Sequence, residues 1–425
     1  NTIATVENGT ITGIKAGTAI ITATSTKNAN IKAECSVTIE EIIEISTLEE
    51  LKAFRDDVNN GTSYVGKKVV LVNDLDLNPG KYTVASDGTV TFSEDAEQWT
   101  AIGTSTNYFS GTFDGQGHTI SGVYINKPTE MYQGLFGYVR GRITAQNYNA
   151  CIKNIILKDV YVQGGTYTGG IVSSATYVDI EKCSVSGNID GKQVGHYVTT
   201  VGGIAGYVNG NIMECYNNAN ITSTDYAGGI VGIFAGNVIN CYNTANISGS
   251  HKVGGIIGYC DISGFNIKNC YNKGKIIGYI GSNENYQQYG GIAGNIWDNG
   301  TLQNCYNLGE INNGYKYLGG IVGFFDPDSG IAEISNCYNS GKVNAANSSG
   351  GIIGLFRVKN TTINSCSYLT GTASSAIGAI ESGTITIESS DTLPALLSVI
   401  NGDNAFVEDT NNVNNGYPIL SWQVK

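Results

Sequence analysis

Between residues 169 and 366 the apolar positions follow four fixed phases of a long period, not the spacing of a helix face. Glycine pairs open the units at Gly169, Gly202, Gly228, Gly254, Gly290, Gly319 and Gly350, 26 to 36 residues apart, and each pair is followed directly by isoleucine: Ile171, Ile204, Ile230, Ile256, Ile292, Ile321 and Ile352. Cysteines come later in each unit, at Cys183, Cys215, Cys241, Cys270, Cys305, Cys337 and Cys366. Three positions before them stand Ile180, Ile212, Val238, Ile267, Leu302, Ile334 and Ile363; six after stand Ile189, Ile221, Ile247, Ile276, Ile311 and Val343, with Thr372 breaking the series. A period of this length marks one supersecondary unit per repeat, which buries its apolar face only when a neighbour stacks on it. Asn, Gly and β-branched residues dominate and turn signals recur every six to ten residues, which excludes helices. Leucine-rich repeats would need their own signature, and propeller blades four strands in 40 residues or more. The pattern predicts an all-β chain folded as a parallel β-helix with three short strands per coil, the four phases pointing inward. About a dozen coils at about 4.8 Å each would stand roughly 55 to 60 Å tall.

The flanks read differently. Residues 1–41 alternate in the manner of a half-buried antiparallel sheet, with Asn8-Gly9 as a hairpin turn. In residues 42–61, a linker and capping helix, Ser46 and Glu49 can form a capping box; Leu48, Leu51, Phe54 and Val58 share one face, and Asn59-Asn60-Gly61 ends the helix. Its expected role is to cover the first coil, whose edge would otherwise offer unpaired backbone groups. The β-helix then takes residues 62–425, irregular up to about residue 168 and with an excursion over 83–98. Near the C-terminus Leu393, Leu396, Leu397 and Ile400 predict a second capping helix with Pro394 in its first turn, and Tyr417, Ile419 and Trp422 a final apolar lid.

Two stretches resemble known families. Ala4-Thr5-Val6, Gly9-Thr10-Ile11-Thr12-Gly13 and Ala16-Gly17-Thr18-Ala19-Ile20-Ile21 resemble the second half of a bacterial immunoglobulin-like domain of group 2. That likeness implies a partial β-sandwich, which should not fold well alone, and a native protein that extends further toward the N-terminus. The phrase Gly203-Ile204-Ala205-Gly206 recurs as Gly229-Ile230-Val231-Gly232, Gly255-Ile256-Ile257-Gly258, Gly291-Ile292-Ala293-Gly294, Gly320-Ile321-Val322-Gly323 and Gly351-Ile352-Ile353-Gly354, with Gly134-Leu135-Phe136-Gly137 upstream. It resembles the GLUG motif found in arrays on secreted and surface proteins of bacteria; Ser173 stands where the first regular repeat needs its closing glycine. The resemblance, over about residues 45–425, implies an adhesin-like, cell-surface or secreted protein and brings no catalytic residue with it.

Charge narrows the partners. Charged residues are 14% of the chain and the net charge is -12, with no basic stripe of the kind that neutralises nucleic-acid phosphates. An anionic membrane surface would repel it, and no apolar run of about 20 residues exists to span a bilayer. None of the ten cysteines forms a CxxC pair. Like positions on adjacent coils lie about 4.8 Å apart with parallel side chains, a poor disulfide geometry, so the cysteines read as a buried file of free thiols.

Candidate chemistry is sparse. GLUG-type arrays also resemble the non-catalytic parts of immunoglobulin A-specific metallopeptidases, but zinc catalysis of that kind needs HExxH, and His118, His196 and His251 are isolated, with no glutamate following. A glycosidase would need two carboxylates about 5 to 9.5 Å apart; Asp74 with Asp76 and Asp326 with Asp328 are the nearest pairs, read as a solvent-facing strand and a turn. Asp114 and His118 read as a hydrogen-bonded corner. Rows Tyr216, Tyr242, Tyr271, Tyr306, Tyr338 and Asn217, Asn243, Asn272, Asn307, Asn339 follow the cysteines; the tyrosines should face outward, and such rows suit either sugar or protein contact or stacking within the helix itself. Two insertions, 191–200 with His196 and Tyr197, and 278–289 with Tyr279, Asn283, Glu284, Tyr286, Gln287 and Tyr289, fall at one phase and should project from one side. These residues are the expected contact site for a host glycan or surface protein. No cofactor or metal is implied and a monomer is expected. The reading is a non-catalytic display module; the alternatives are a carbohydrate-active enzyme on the same scaffold, or a passive spacer in a larger secreted protein such as a peptidase.

Overall fold

In the computed structural model the described residues are 3–143, 149–260, 262–279, 287–314, 316–326, 332–345, 347–357, 361–381, 388–390, 393–402 and 404–424. Three parallel sheets wrap one interior. The first sheet climbs from Glu41–Ile45 and Lys67–Leu71 through Val172–Glu181, Ala205–Met213 and Val231–Ile239 to Ile377–Ile380. The second holds strands such as Ser184–Gly191 and Tyr216–Ser223, and the third runs from Tyr167–Gly169 through Thr200–Gly202 and Tyr226–Gly228 to Ser349–Gly350. Register is kept from coil to coil: Ile180 pairs with Ile212 and Ile212 with Val238 on the first sheet, Ile189 with Ile221 on the second, and Gly202 with Gly228 on the third. The parallel β-helix with three strands per coil is therefore the fold, and all four expected inward phases line its core.

The corner ahead of each cysteine explains the spacing. Lys182, Glu214, Asn240, Asn269, Asn304, Asn336 and Ser365 immediately precede the cysteines, and all have left-handed backbone with φ between 51 and 57°. That conformation is best tolerated by asparagine, which fills four of the seven positions. The turn swings the cysteine inward, where its Sγ donates to the carbonyl two residues earlier at 3.2 to 3.3 Å. All ten cysteines are free thiols. Burial pushes the thiols of Cys183, Cys215, Cys241, Cys270 and Cys337 well above their ordinary pKa, and Cys151 to about 12. Because a thiol must be reached by the reagent to react and the file from Cys183 to Cys366 is buried whereas Cys35 is exposed, a thiol reagent at neutral pH should show one fast phase from Cys35, abolished by Cys35→Ser, and release the interior file only on unfolding. Fast reaction of several thiols in the folded protein would mean the file does not face inward.

Three expectations change, for the cap, the start of the stack and the lid, and the open reading of the asparagine row is settled. The cap of the first helix, α1 (Leu48–Asn59), is Thr47, not Ser46: Glu50, not Glu49, reaches back to the Thr47 N–H, and Thr47 Oγ1 accepts from the Glu50 N–H at 3.2 Å. The stack begins before α1, since Glu41–Ile45 pairs in parallel with Lys67–Leu71; α1 lies between these rungs and plugs the interior with Leu51, Phe54 and Val58, the Phe54 ring 5.5 Å from Phe109. The asparagine row is interior. Asn217, Asn243, Asn272, Asn307 and Asn339 are fully buried, each Nδ2 donating to the carbonyl two residues on, and each but the last also to the Oδ1 of the next asparagine at 2.7 to 2.8 Å.

The C-terminal lid sits on the flank of the stack. After α2 (Leu393–Ile400) the chain lies over the tyrosine row, with Phe406 5.7 Å from Tyr338, Trp422 5.8 Å from Tyr271, and Tyr306 Oη donating to Gln423 Oε1 at 3.0 Å. The tyrosine rings stack at 4.8 to 5.0 Å and within 6° of parallel. Their exposure falls from 37% at Tyr216 to none at Tyr306 and Tyr338. Both rows thus stabilise the β-helix, and most of their length is closed to ligands. At the other end, Ala4–Glu7 with Thr10–Gly13 and Gly17–Thr24 with Lys32–Ile39 form two antiparallel pairs that leave Val6, Ile11, Ile14, Ile20 and Ile31 exposed. The excursion over 83–98 contains a small hairpin, Tyr82–Val84 against Val90–Phe92, folded onto the second sheet, where Asn188 Oδ1 accepts from the Val90 N–H at 2.6 Å.

A candidate ligand-binding gutter

Where the third sheet turns into the first, the glycine pair lets two coils approach closely. A Cβ on Gly203 would lie 2.3 Å from the Gly229 carbonyl oxygen and 2.3 Å from Asn217 Oδ1, so no side chain fits there. The turn brings two outward rows together. One is the residue two positions before the glycine pair: Tyr167, Thr200, Tyr226, Lys252, Gln288 and Tyr317, with Tyr132 one coil earlier. The other directly follows the motif's closing position: Tyr138, Ser174, Tyr207, Ile233, Tyr259, Asn295, Phe324 and Leu355.

Across the corner the rings touch. Tyr108 meets Tyr138 at 6.4 Å, Tyr138 meets Tyr132 at 5.6 Å, Tyr132 stacks on Tyr167 at 5.5 Å and 21°, and Tyr167 meets Tyr207 at 6.0 Å. Two coils on, Tyr226 meets Tyr259 at 5.6 Å with Lys252 Nζ over both rings, at 4.7 and 3.3 Å. Phe324 then gathers Trp297 and Tyr317, each at 6.2 Å, with the Arg357 guanidinium 5.1 Å above it. From Tyr138 to Phe324 the first-sheet register advances six rungs, about 29 Å of track parallel to the stack axis.

The C-terminal half of this track deepens into a cleft of about 650 Å³ lined by Asp225, Tyr226, His251, Lys252, Gln288, Asn295, Trp297, Tyr317, Phe324 and Arg357, with Val198 and Leu355. His251 Nδ1 lies 2.9 Å from Asp225 Oδ1, and the Thr199 N–H donates to Asp225 Oδ2 at 2.9 Å. Burial opposes ionisation of Asp225, but these bonds and the imidazole's charge outweigh it and hold the carboxyl below its usual range. Asn295 Nδ2 donates to Gln288 Oε1, fixing both amides on the floor. Buried Asp326 pairs with Arg357 at 2.6 Å, and Glu381 holds the same guanidinium at 2.8 Å.

The expected contact residues divide. His196 and Tyr197 are exposed, Tyr197 at 63%, and their loop reaches the cleft through Val198. Tyr279 is 39% exposed and its N–H donates to the Gly249 carbonyl. Asn283, Glu284 and Tyr286 lie outside the described residues. Tyr289 is no contact group: it is fully buried, pairs with Val253 and Leu318 at an inward phase of the third sheet, and its Oη donates to the Ser250 carbonyl at 2.9 Å. The strand opens at Gln288, so the insertion closes earlier than the sequence suggests, and Gln287 is buried as well.

No family model matches this chain. Over 142 residues, 32% of its length, it is 30% identical to a candidate Gly-rich membrane protein of Evansella cellulosilytica, and it spans only 14% of that protein. Among solved structures it is similar to a candidate immunoglobulin A1 protease from Bacteroides ovatus, at 18% identity and a TM-score of 0.43, over 89% of this chain and 92% of the other. It is also similar to an IgA1 protease at 15% identity and a TM-score of 0.45, over 90% of this chain and 26% of that one.

Other candidates keep structural roles. Asp74 accepts from the Thr119 N–H at 2.8 Å and lies 3.1 Å from His118 Nδ1, while Asp114 takes Asn154 Nδ2 and the Gln116 N–H and faces Lys68 Nζ at 3.0 Å. Asp328 lies outside the described residues. Among the described residues no three His, Cys, Asp or Glu side chains gather as a metal site. The gutter residues escaped the sequence reading, although a signal exists: the positions flanking the glycine motif are rich in tyrosine.

Proposed function

We propose that this β-helix is a non-catalytic module of a secreted or cell-surface bacterial protein, with GLUG-type repeats, that acts in an adhesin-like way by holding a linear glycan along the gutter. The carrying observation is the aromatic track parallel to the axis. Aromatic faces suit the apolar faces of sugar rings, and the polar edges of Asp225, His251 and Gln288 suit hydroxyl groups. Rings recurring every second rung on the first-sheet row, at Tyr138, Tyr207 and Tyr259, stand about 9.5 Å apart, comparable with the repeat of an extended disaccharide. Asp225 is the one carboxylate among the described residues lining the cleft, whereas glycoside hydrolysis uses two. The relative named as a membrane protein fits a surface setting.

Affinity electrophoresis through gels containing soluble polysaccharides tests the reading. At least one polysaccharide should retard the chain, and Tyr167→Ala combined with Tyr207→Ala should weaken that retention about tenfold or more, the loss expected for two stacking faces. Equal retention of the double variant would sink the reading.

A further inference from the structure

We infer that the N-terminal mouth of the gutter is an anion subsite, so that the bound glycan carries carboxylate or sulfate groups. The inference rests on the glycan-binding reading and adds the ligand's charge. Beside Tyr108, the first ring of the track, lies a cleft of about 510 Å³ whose polar lining includes Ser63, Asn107, Arg140, Arg142 and Tyr177. The chain has four arginines. Arg55 is neutralised by Asp56, and Arg357 by Asp326 and Glu381. Among the described residues neither Arg140 nor Arg142 joins an ion pair, and no carboxylate lines the cleft.

This is notable in a chain with 36 acidic and 24 basic side chains. Asp57, on α1 close to this cleft in sequence, turns one oxygen to Thr62 Oγ1 at 2.9 Å and the other to Tyr64 Oη at 2.7 Å, and is occupied. Both arginines are exposed, and they flank Gly141, so as i and i+2 residues at a strand end they share a face. Gly141 is pressed against the neighbouring coil, where a Cβ would meet the Tyr177 carbonyl, and Ser110 Oγ donates to the Arg140 carbonyl. The Arg140 guanidinium lies 5.5 Å over the Tyr108 ring, which leaves its planar edge free to pair with a flat anion. A sugar stacked on Tyr108 would place an acidic substituent within reach of two guanidinium forks.

The test separates the subsite from the gutter. Phenylglyoxal modification of the whole chain, read by peptide mass spectrometry, is run with galacturonate, inorganic sulfate or galactose as protectant. At least one of the two anions should slow modification of Arg140 and Arg142 several-fold relative to galactose, and which one does so identifies the acidic group. In a second arm a galacturonate or a sulfated hexasaccharide is compared with cellohexaose. The Arg140→Gln, Arg142→Gln double variant should lower the acidic-to-neutral affinity ratio about tenfold, the share of a charge-assisted hydrogen bond. Absence of protection by both anions, or an unchanged ratio, overturns the anion subsite even if the tyrosine variants still lose retention. Protection without retention of any polysaccharide keeps the subsite and overturns the gutter.

Discussion

Gly229→Ala should destabilise the central coils by more than about 3 kcal/mol, beyond ordinary overpacking. The added Cβ would lie 2.0 Å from the Gly255 carbonyl oxygen and 2.7 Å from Asn243 Cβ, atoms that cannot move aside separately. Gly229 does not need a left-handed backbone; the demand is for space alone. To relieve the contact, the coils must part where the Ile230 N–H donates to Ile256 at 2.9 Å and the Gly229 N–H to Gly254 at 3.2 Å. Because a solenoid is held by nearest-neighbour terms, the loss should be local. Native-state hydrogen exchange should show faster exchange in residues 226–260 than in residues 112–126. An unchanged denaturation midpoint together with unchanged exchange would mean that the coils do not meet at this corner.

Asn272→Leu should cost about 4 kcal/mol, several unmet buried groups at about 1 to 3 kcal/mol each. Its Nδ2 donates to the Gly274 carbonyl and to Asn307 Oδ1, both at 2.8 Å, while its Oδ1 accepts from Asn243 Nδ2 at 2.7 Å and from the Gly274 N–H at 3.2 Å. Leucine keeps the branched shape but strands the Gly274 carbonyl and N–H in a dry interior and takes one bond each from Asn243 Nδ2 and Asn307 Oδ1, which retain the Ala245 carbonyl and the Gly309 N–H. Asn217→Leu, at the start of the file, has no asparagine donating to it from the coil before, since Val185 is its partner there; it loses three such bonds instead of four and should cost about a quarter less. Urea unfolding of the two variants decides the matter; equal, small losses would show that the file is not a linked network.

The sequence foreshadowed the interior better than the surface. Cys215, Ile204, Ile212 and Ile221 repeat in type as well as phase because an inward position sees the same neighbours in every coil, and packing allows few substitutes. The gutter rows were hidden by the opposite circumstance. Tyr226, Lys252 and Gln288 share one phase, as do Tyr207, Ile233, Tyr259 and Asn295, and mixed residue types do not register as a repeat. Asn272 stayed open for another reason: alternation after an outward tyrosine turns it inward, yet a buried amide needs partners, and only those on neighbouring coils show that it is satisfied inside.

The chain by itself determined the coil: its period, its three strands, its glycine corner and its thiol file, all written in short-range patterns that each repeat restates. Tertiary structure decided what lies on the outside. Trp422 covers Tyr271 from 151 positions away, Tyr289 turns inward, and Tyr167 meets Tyr207 across two sheets. Such contacts depend on which coils become neighbours and where the tail docks. Those are outcomes of stacking in three dimensions, and no local periodicity encodes them.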